Sequence, residues 1–388
     1  MSASFFSAAD LALARESLAH AERPTSPRLH LATSHETDPG PPRPEALTPP
    51  ETDGVPDTVV LVVDYTTDWS AVFSPPLFLP NGSRLVVEQA SWQAMAVEAI
   101  GPESGHVEVL IQAEPESPNP QARTSPRRVT PHAVIVRNFP TDLSARGHVN
   151  ALVGLAFARL PAVNSLHSVY MGMDRAMMYA QLAAIGREPG MGAGDVDPLP
   201  LVPMRYCANA KLALGLEFSP QPEIEPPAVV KVGSTHAGFG KALARDAAAL
   251  DDLVSILMTQ DEYYTVEPFI EHAYEYRIQW IAGHVRVFRR NSSTSWKNNR
   301  GNISFEDMDV LPHHRAWAAA VARYTWGGLD LFALDVLHIA PDRELILEIN
   351  DTACGFMHEH EFEDVRRVRN ALYTKLSQLV DASSESTP

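Results

Sequence analysis

Residues 58–64 read Thr-Val-Val-Leu-Val-Val-Asp, an unbroken apolar run that closes on an acid. A strand with one wet face alternates apolar and polar residues, whereas a uniform run suits a parallel strand buried on both faces. Parallel strands need crossover connections, usually helices, so the run commits this part of the chain to an α/β arrangement. Further candidate strands follow at residues 83–88, 107–111 and 132–137, with helical stretches between some of them. Residues 113–130, rich in Pro, Ser and Arg, read as a surface loop. Residues 147–159 predict an apolar helix, 160–165 a short strand and 174–188 another helix. A second run of strands extends from Pro227 to about Val287, interrupted by one helix over 243–258. A helix over 312–324, a hairpin over 327–352 and a charged helix over 361–380 complete the fold, and the polar tail 381–388 is expected to be loose.

The chain has 388 residues, too many for one small core, and 45% of them are hydrophobic, so most of it can fold. Residues 23–57 are the exception: rich in Pro, Thr and acids, they bury too little to offset ordering entropy and are expected to be disordered. The preceding stretch 7–22 carries Leu11, Ala14 and Leu18 on one helical stripe, but its acids and the absence of a basic start argue against a targeting signal. A net charge of −17 argues against broad nucleic-acid binding. No apolar run is long enough to span a bilayer, and only Cys207 and Cys354 are present, which fits a reducing, cytoplasmic setting.

Three stretches carry candidate chemistry. In the hairpin, Asp335 is read as the end of the first strand, with Glu348, Ile349 and Asn350 ending the second across the Pro341-Asp342-Arg343 turn. Alternation puts Glu348 and Asn350 on one face and Ile349 in the core. Two carboxylates and an amide oxygen are hard ligands suited to Mg²⁺ held between protein and phosphates. Upstream, the strand 228–232 contains Lys231 and enters a loop with Gly233, Gly238 and Gly240 that closes on Lys241. Glycines admit backbone N–H groups close to oxygens and lysines neutralise charge, so this is a phosphate site in outline, without P-loop spacing. The third stretch, Glu267-Pro268-Phe269-Ile270, is an extended segment in which Pro268 favours an edge or linker position. Arg277, Arg290 and Lys297 add positive charge further along. The string His358-Glu359-His360-Glu361 invites a zinc reading, rejected because further fixed ligands are not evident; acids opening a helix are explained by its dipole.

The order Lys, glycine loop, Lys, Glu-Pro-Phe-Ile, Arg, Asp, Glu-x-Asn resembles the ATP-grasp superfamily. More specific strings are VLVVDYTTDW at 60–69, VEQA at 87–90 and PAVNSLHSVY at 161–170, with Trp296-Lys297 and the start of the hairpin at 327–330. Through these the chain resembles the synapsin family from about Val59 to about Leu379. The resemblance implies an α/β protein: a disordered leader over 1–57, a Rossmann-like subdomain over 58–163, an ATP-grasp fold of two α+β subdomains over 164–380, and a flexible tail. It also implies ATP held with Mg²⁺ or Ca²⁺, a homodimer, and a regulatory role at vesicle or membrane surfaces. Carried over by position, Lys231 and Lys241 match phosphate-facing lysines, Glu267 the hinge, Lys297 a polar-loop lysine and Glu348 a cation ligand. The same alignment of motifs gives Gly238, Gly240, Phe269, Arg277 and Arg290 nucleotide roles, and Asp335 and Asn350 cation roles. Three positions depart from the family: Arg175 stands where lysine is usual, Asp335 replaces a glutamate, and Asn350 restores the Glu-x-Asn of catalytic ATP-grasp ligases. The last leaves two readings open, an ATP-sensing protein and a ligase that activates a carboxylate as an acylphosphate. The acidic leader argues for weak attraction to anionic lipid.

Overall fold

The apolar run at the start of the folded region forms β1 (Thr58–Val63), paired in parallel with β2 (Leu85–Ala90) on one side and β6 (Ala133–Val136) on the other. A computed structural model describes residues 54–101, 106–123, 125–140, 147–208, 224–233, 240–257, 259, 262–292, 303–357 and 359–385. The leader and most of the glycine-rich loop therefore lie outside the described residues. With the short strand β7 (Ala162–Val163), the first sheet has the order β2-β1-β6-β7. Both of its faces are covered, as the uniform run predicts. Val60, Val62, Ala133 and Ile135 join one core, and Leu61, Val63, Val134 and Val136 join another.

Between β2 and β6 the chain departs from the expected loop. A small antiparallel sheet forms from β3 (Met95–Ala99), β4 (Val107–Ile111) and β5 (Arg127–Val129). Two of these strands are absent from the sequence reading, and β5 falls inside the stretch read as loop. Its Arg127 is held by Glu88 at 2.6 Å, an ion pair that overrides the turn-like composition around it. Of the short helices α1 (Trp69–Val72), α2 (Val149–Phe157), α3 (Leu166–Gly172) and α4 (Arg175–Ala184), α2 and α4 follow the predicted positions, whereas α1 and α3 were not expected at theirs. The first and last are capped by Asp68 and Asp174, whose carboxylates accept N–H groups of the first turn.

The chain divides into two compact units. The smaller contains residues 204–270 and 289–306 and is built on the antiparallel order β10-β9-β11-β8. These are β8 (Arg205–Cys207), β9 (Ala228–Val232), β10 (Lys241–Ala244) and β11 (Tyr264–Pro268), covered by α5 (Ala247–Leu257). The expected start of α5 at Leu243 is corrected: Leu243 pairs with Val229 in the ladder, and the helix begins four residues later.

The larger unit holds the parallel sheet and most of a five-stranded sheet of order β14-β13-β12-β15-β16. Its strands are β12 (Tyr274–Ile281), β13 (His284–Ser292), β14 (Ile303–Met308), β15 (Leu331–Ala340) and β16 (Arg343–Asn350). Asp335 is thus mid-strand, not the end of the first strand, because the apolar pattern continues through Val336 and Leu337 to a tighter turn. One face of this sheet packs on α6 (Pro312–Tyr324) through Tyr276, Ile278, Phe332, Leu334, Val336, Ile346, Ala318 and Val321. The final helix α7 (Glu361–Glu385) runs five residues past the expected end. Its Val365, Val368, Leu372 and Leu376 pack into the core under β1 and β6.

Candidate functional site

In the smaller unit, antiparallel pairing sets Lys241 directly opposite Lys231, and Lys231 opposite Thr265. Lys231 is only 3% exposed and Glu267 only 2%. A buried charge needs a partner, and the Lys231 Nζ lies 2.6 Å from a Glu267 carboxylate oxygen. The loop between the strands leaves through Gly233 (φ +49°) and returns through Gly240 (φ +60°), left-handed conformations that favour glycine. Val232 N–H donates to the Gly240 carbonyl, so the loop is pinched at its base. Gly238 and Lys297 lie outside the described residues. At the hinge, the ladder continues past Pro268, and Phe269 N–H donates to the Pro227 carbonyl at 2.8 Å. Any donor to an adenine edge from this segment must therefore be another backbone group. Arg290, half-buried near the end of β13, belongs to the residues of this unit.

In the larger unit, Arg277, Asp335 and Glu348 stand side by side on three adjacent strands. Arg277 grips Asp335 with a two-pronged fork, Nε to Oδ1 at 2.7 Å and a terminal nitrogen to Oδ2 at 2.9 Å. Burial opposes charge on Arg277, but the Asp335 carboxylate outweighs it and holds the guanidinium pKa above its ordinary value. The Asn350 amide nitrogen donates to Asp335 Oδ2 at 3.1 Å, which turns its amide oxygen away as a separate donor atom. A β-bulge aims this set. Val336 pairs with Ile346 while Asp335 pairs with Glu348, so Leu347 is the extra residue. Ile346 packs towards α6, and without the bulge Glu348 and Asn350 would follow it there; the extra residue turns them to the opposite face. Arg175 opens α4, immediately after its cap Asp174.

Two buried polar residues beside this set escaped the sequence reading. Gln279 lies two places along β12 from Arg277, opposite Ala333, which itself pairs with Asn350. It is 1% exposed and neither end of its amide has a hydrogen-bond partner. The signal was present in Glu275-Tyr276-Arg277-Ile278-Gln279, where polar residues alternate with core residues. Asp351, next to Asn350, is also buried, and burial pushes its carboxyl up to about 7 although the Arg137 guanidinium lies near. Arg137 itself donates to the carbonyls of Thr352 and Cys354 and lies over the Phe356 ring. Burial raises the Cys354 thiol pKa, consistent with an inert core cysteine. His360 bonds Asp307 at 3.3 Å, and Glu361, Glu363 and Asp364 fill the first turn of α7, as the dipole reading expects.

The chain that carries these two clusters has similar proteins among those already known. The family described as "Synapsin, ATP binding domain" matches residues 164–378, more than half of the chain. Synapsin of Drosophila melanogaster is 25% identical over 339 residues, covering 85% of this chain but 30% of its own length. The chain thus spans less than a third of that relative. Among solved structures, the ATP-grasp ligase PsnB, crystallised with a minimal precursor, superposes with a TM-score of 0.52 at 13% identity, covering 81% of this chain and 98% of its own. The RimK-domain ATP-grasp protein of Sphaerobacter thermophilus gives 0.50 at 16% identity, over 82% of this chain and 98% of its own. The macrocyclase MdnC of Microcystis aeruginosa, bound with its precursor peptide MdnA, gives 0.51 at 13% identity, over 82% and 99%. At these identities the likeness shows the fold, which is α/β ATP-grasp with a parallel N-terminal sheet. The match over residues 164–378 shows more: the chain belongs to the synapsin family through that family's ATP-binding domain.

Proposed function

We propose that the chain binds ATP together with Mg²⁺, with Ca²⁺ as the alternative cation, and that nucleotide occupancy is its regulatory signal. The observation that carries this reading is the register of β15 and β16, which aligns Asp335 with Glu348 and brings Asn350 onto the same face. The donor set fits a hard cation, being two carboxylates and an amide oxygen. Asp335 is shared with Arg277, so Glu348 and Asn350 would be its principal protein ligands. The cation would neutralise phosphate charge, the chemistry Mg²⁺ supplies in nucleotide sites. Lys231 and Lys241 would take phosphate oxygens, the 267–270 hinge the adenine, and Arg175, Arg277, Arg290 and Lys297 the remaining negative charge. PsnB has been crystallised with Mg and ADP, which supports the same ligand class on this fold. A homodimer acting at vesicle or membrane surfaces is the family-based extension of this reading; among the described residues no helix is long and apolar enough to cross a membrane.

Asn350 favours a second reading. A Glu-x-Asn pair on the cation face is the equipment of a ligase that phosphorylates a carboxylate and passes the acyl group to an amine or similar nucleophile. Calorimetry of ATP binding with and without Mg²⁺, with ADP followed in the same sample, separates the two. Metal-dependent binding that is lost in Glu348→Ala, without ADP, supports the sensor. Steady ADP formation stimulated by a carboxylate or amino acid, and abolished in Asn350→Val, supports the ligase. No nucleotide binding by the folded protein would overturn both.

A further inference from the structure

The opposite face of the β12–β15–β16 sheet carries a second cluster, unconnected with the ATP reading. Helix α6 opens Pro312-His313-His314, and these two histidines meet Glu344 at the start of β16. His313 Nε2 lies 2.8 Å from one oxygen of Glu344. His338 Nδ1 lies 2.7 Å from the other, and His338 is also the register partner of Glu344. Tyr274 stacks on the His338 ring at 4.4 Å and fixes its plane. One ligating atom each from His313, His314 and Glu344 falls within 4.8 Å of the other two. His338 is three residues along β15 from Asp335, about 10 Å at the rise of a strand.

A hydrogen-bonded relay accounts for only part of this. Protons on His313 and His338 satisfy the Glu344 carboxylate, and the hydrogen bonds from His338 and His313 help hold its pKa down against burial. His314 is left over. It is 1% exposed, its Nδ1 accepts the Leu311 N–H at 3.1 Å, and its Nε2 has no partner. An orphaned imidazole nitrogen beside a second imidazole and a carboxylate is the donor set of an open two-histidine, one-glutamate zinc site. Mg²⁺ and Ca²⁺ prefer oxygen ligands and suit it poorly. The His313 side chain is 39% exposed, which gives an ion access, while His338 is placed to orient the carboxylate from outside the ligand set.

We propose that His313, His314 and Glu344 form a site for a zinc-class divalent cation, with water completing the coordination, that clamps the start of α6 to the turn end of the β15–β16 hairpin. Ligation displaces the proton that His313 shares with Glu344 and requires His314 to give up its bond to the Leu311 N–H.

The test uses tag-free full-length protein stripped with a chelator and titrated with Zn²⁺ by calorimetry, with Co²⁺ absorption as a second probe. One saturable site per chain is expected, with a zinc-induced rise in melting temperature that millimolar Mg²⁺ does not reproduce. His313→Ala and Glu344→Gln should each weaken zinc binding at least tenfold and abolish the rise, and His338→Ala should weaken it roughly 10- to 100-fold. His313→Ala is the informative variant because its partly exposed side chain can be removed without opening the core, and its ATP binding should be unchanged. Absence of saturable zinc binding by the folded wild-type protein would overturn the proposal and leave a hydrogen-bonded relay. Undiminished affinity in both His313→Ala and Glu344→Gln would overturn it equally.

Discussion

Gly172, the last residue of α3, shows how tightly single positions are constrained around Asp351. A β-carbon built there would stand 2.4 Å from Asp351 Oδ2, and the Asp351 side chain is buried. Alanine normally favours a helix over glycine by about 1 kcal/mol, but here overpacking outweighs propensity. Gly172→Ala is expected to destabilise the protein by roughly 1–3 kcal/mol in urea denaturation, with much of the loss recovered when Asp351→Ala is added. A second buried acid supplies a pH signature. Asp364 is fully buried, and although Arg286 lies 3.1 Å away, burial raises its carboxyl from 3.8 to about 6. Between those values the folded chain keeps a proton there that the unfolded chain has released. The contribution is present in full below 3.8 and is lost as pH rises through 6. Asp364→Asn keeps the neutral form throughout, so its stability relative to wild type should climb by on the order of 2 kcal/mol between pH 4 and pH 7. Parallel urea midpoints at every pH would show that Asp364 stays ionised beside Arg286.

At the scale of elements, the β15–β16 hairpin shows what the residues disclose by themselves and what they do not. That Glu348 and Asn350 share a face while Ile349 enters the core is readable from alternation. The bulge at Leu347 is not, because Ile346 and Ile349 look like ordinary core residues until their spacing of three is set against a period of two. The small β3–β4–β5 sheet was hidden for a different reason: its third strand is held by the ion pair between Arg127 and Glu88, 39 residues apart, which local composition cannot reveal. Gln279 follows from the alternation on β12, and its unsatisfied amide gives a prediction. A buried polar group without a partner costs about 1–3 kcal/mol, a cost that a bound ligand can offset. Gln279→Leu should therefore raise resistance to urea while weakening Mg-dependent ATP binding. A variant that gains stability and keeps its affinity would remove Gln279 from the nucleotide site. Asp335→Ala should behave oppositely, stranding Arg277 in the interior and costing roughly 3–5 kcal/mol.

For the molecule as a whole, the two units are unequally endowed. Among the described residues, the smaller one rests on a core of five buried residues, Ala228, Val230, Leu257, Tyr264 and Val266, whereas the larger one holds three more extensive clusters. In the smaller unit, helix α5 contributes only Leu257 to the buried core, and the sheet also carries the desolvated Lys231–Glu267 pair, which adds little net stability. Buried apolar surface is the main stabilising term, so local opening should be cheapest in the smaller unit. Amide hydrogen exchange without nucleotide is expected to be faster along β9 and β11 than along β1, β6, β12 and β15. Lys231 lies on β9 and Glu267 on β11, so a ligand that engages them must slow the same amides. With Mg²⁺ present and ATP at a hundred times its dissociation constant, mass action supplies about 2.7 kcal/mol, close to a hundredfold slowing of opening motions that release the ligand. The effect should vanish in Lys231→Met while β1 and β6 continue to exchange as before. Equal protection of both units without nucleotide would mean that the pair and the short core hold the smaller unit more firmly than buried area implies.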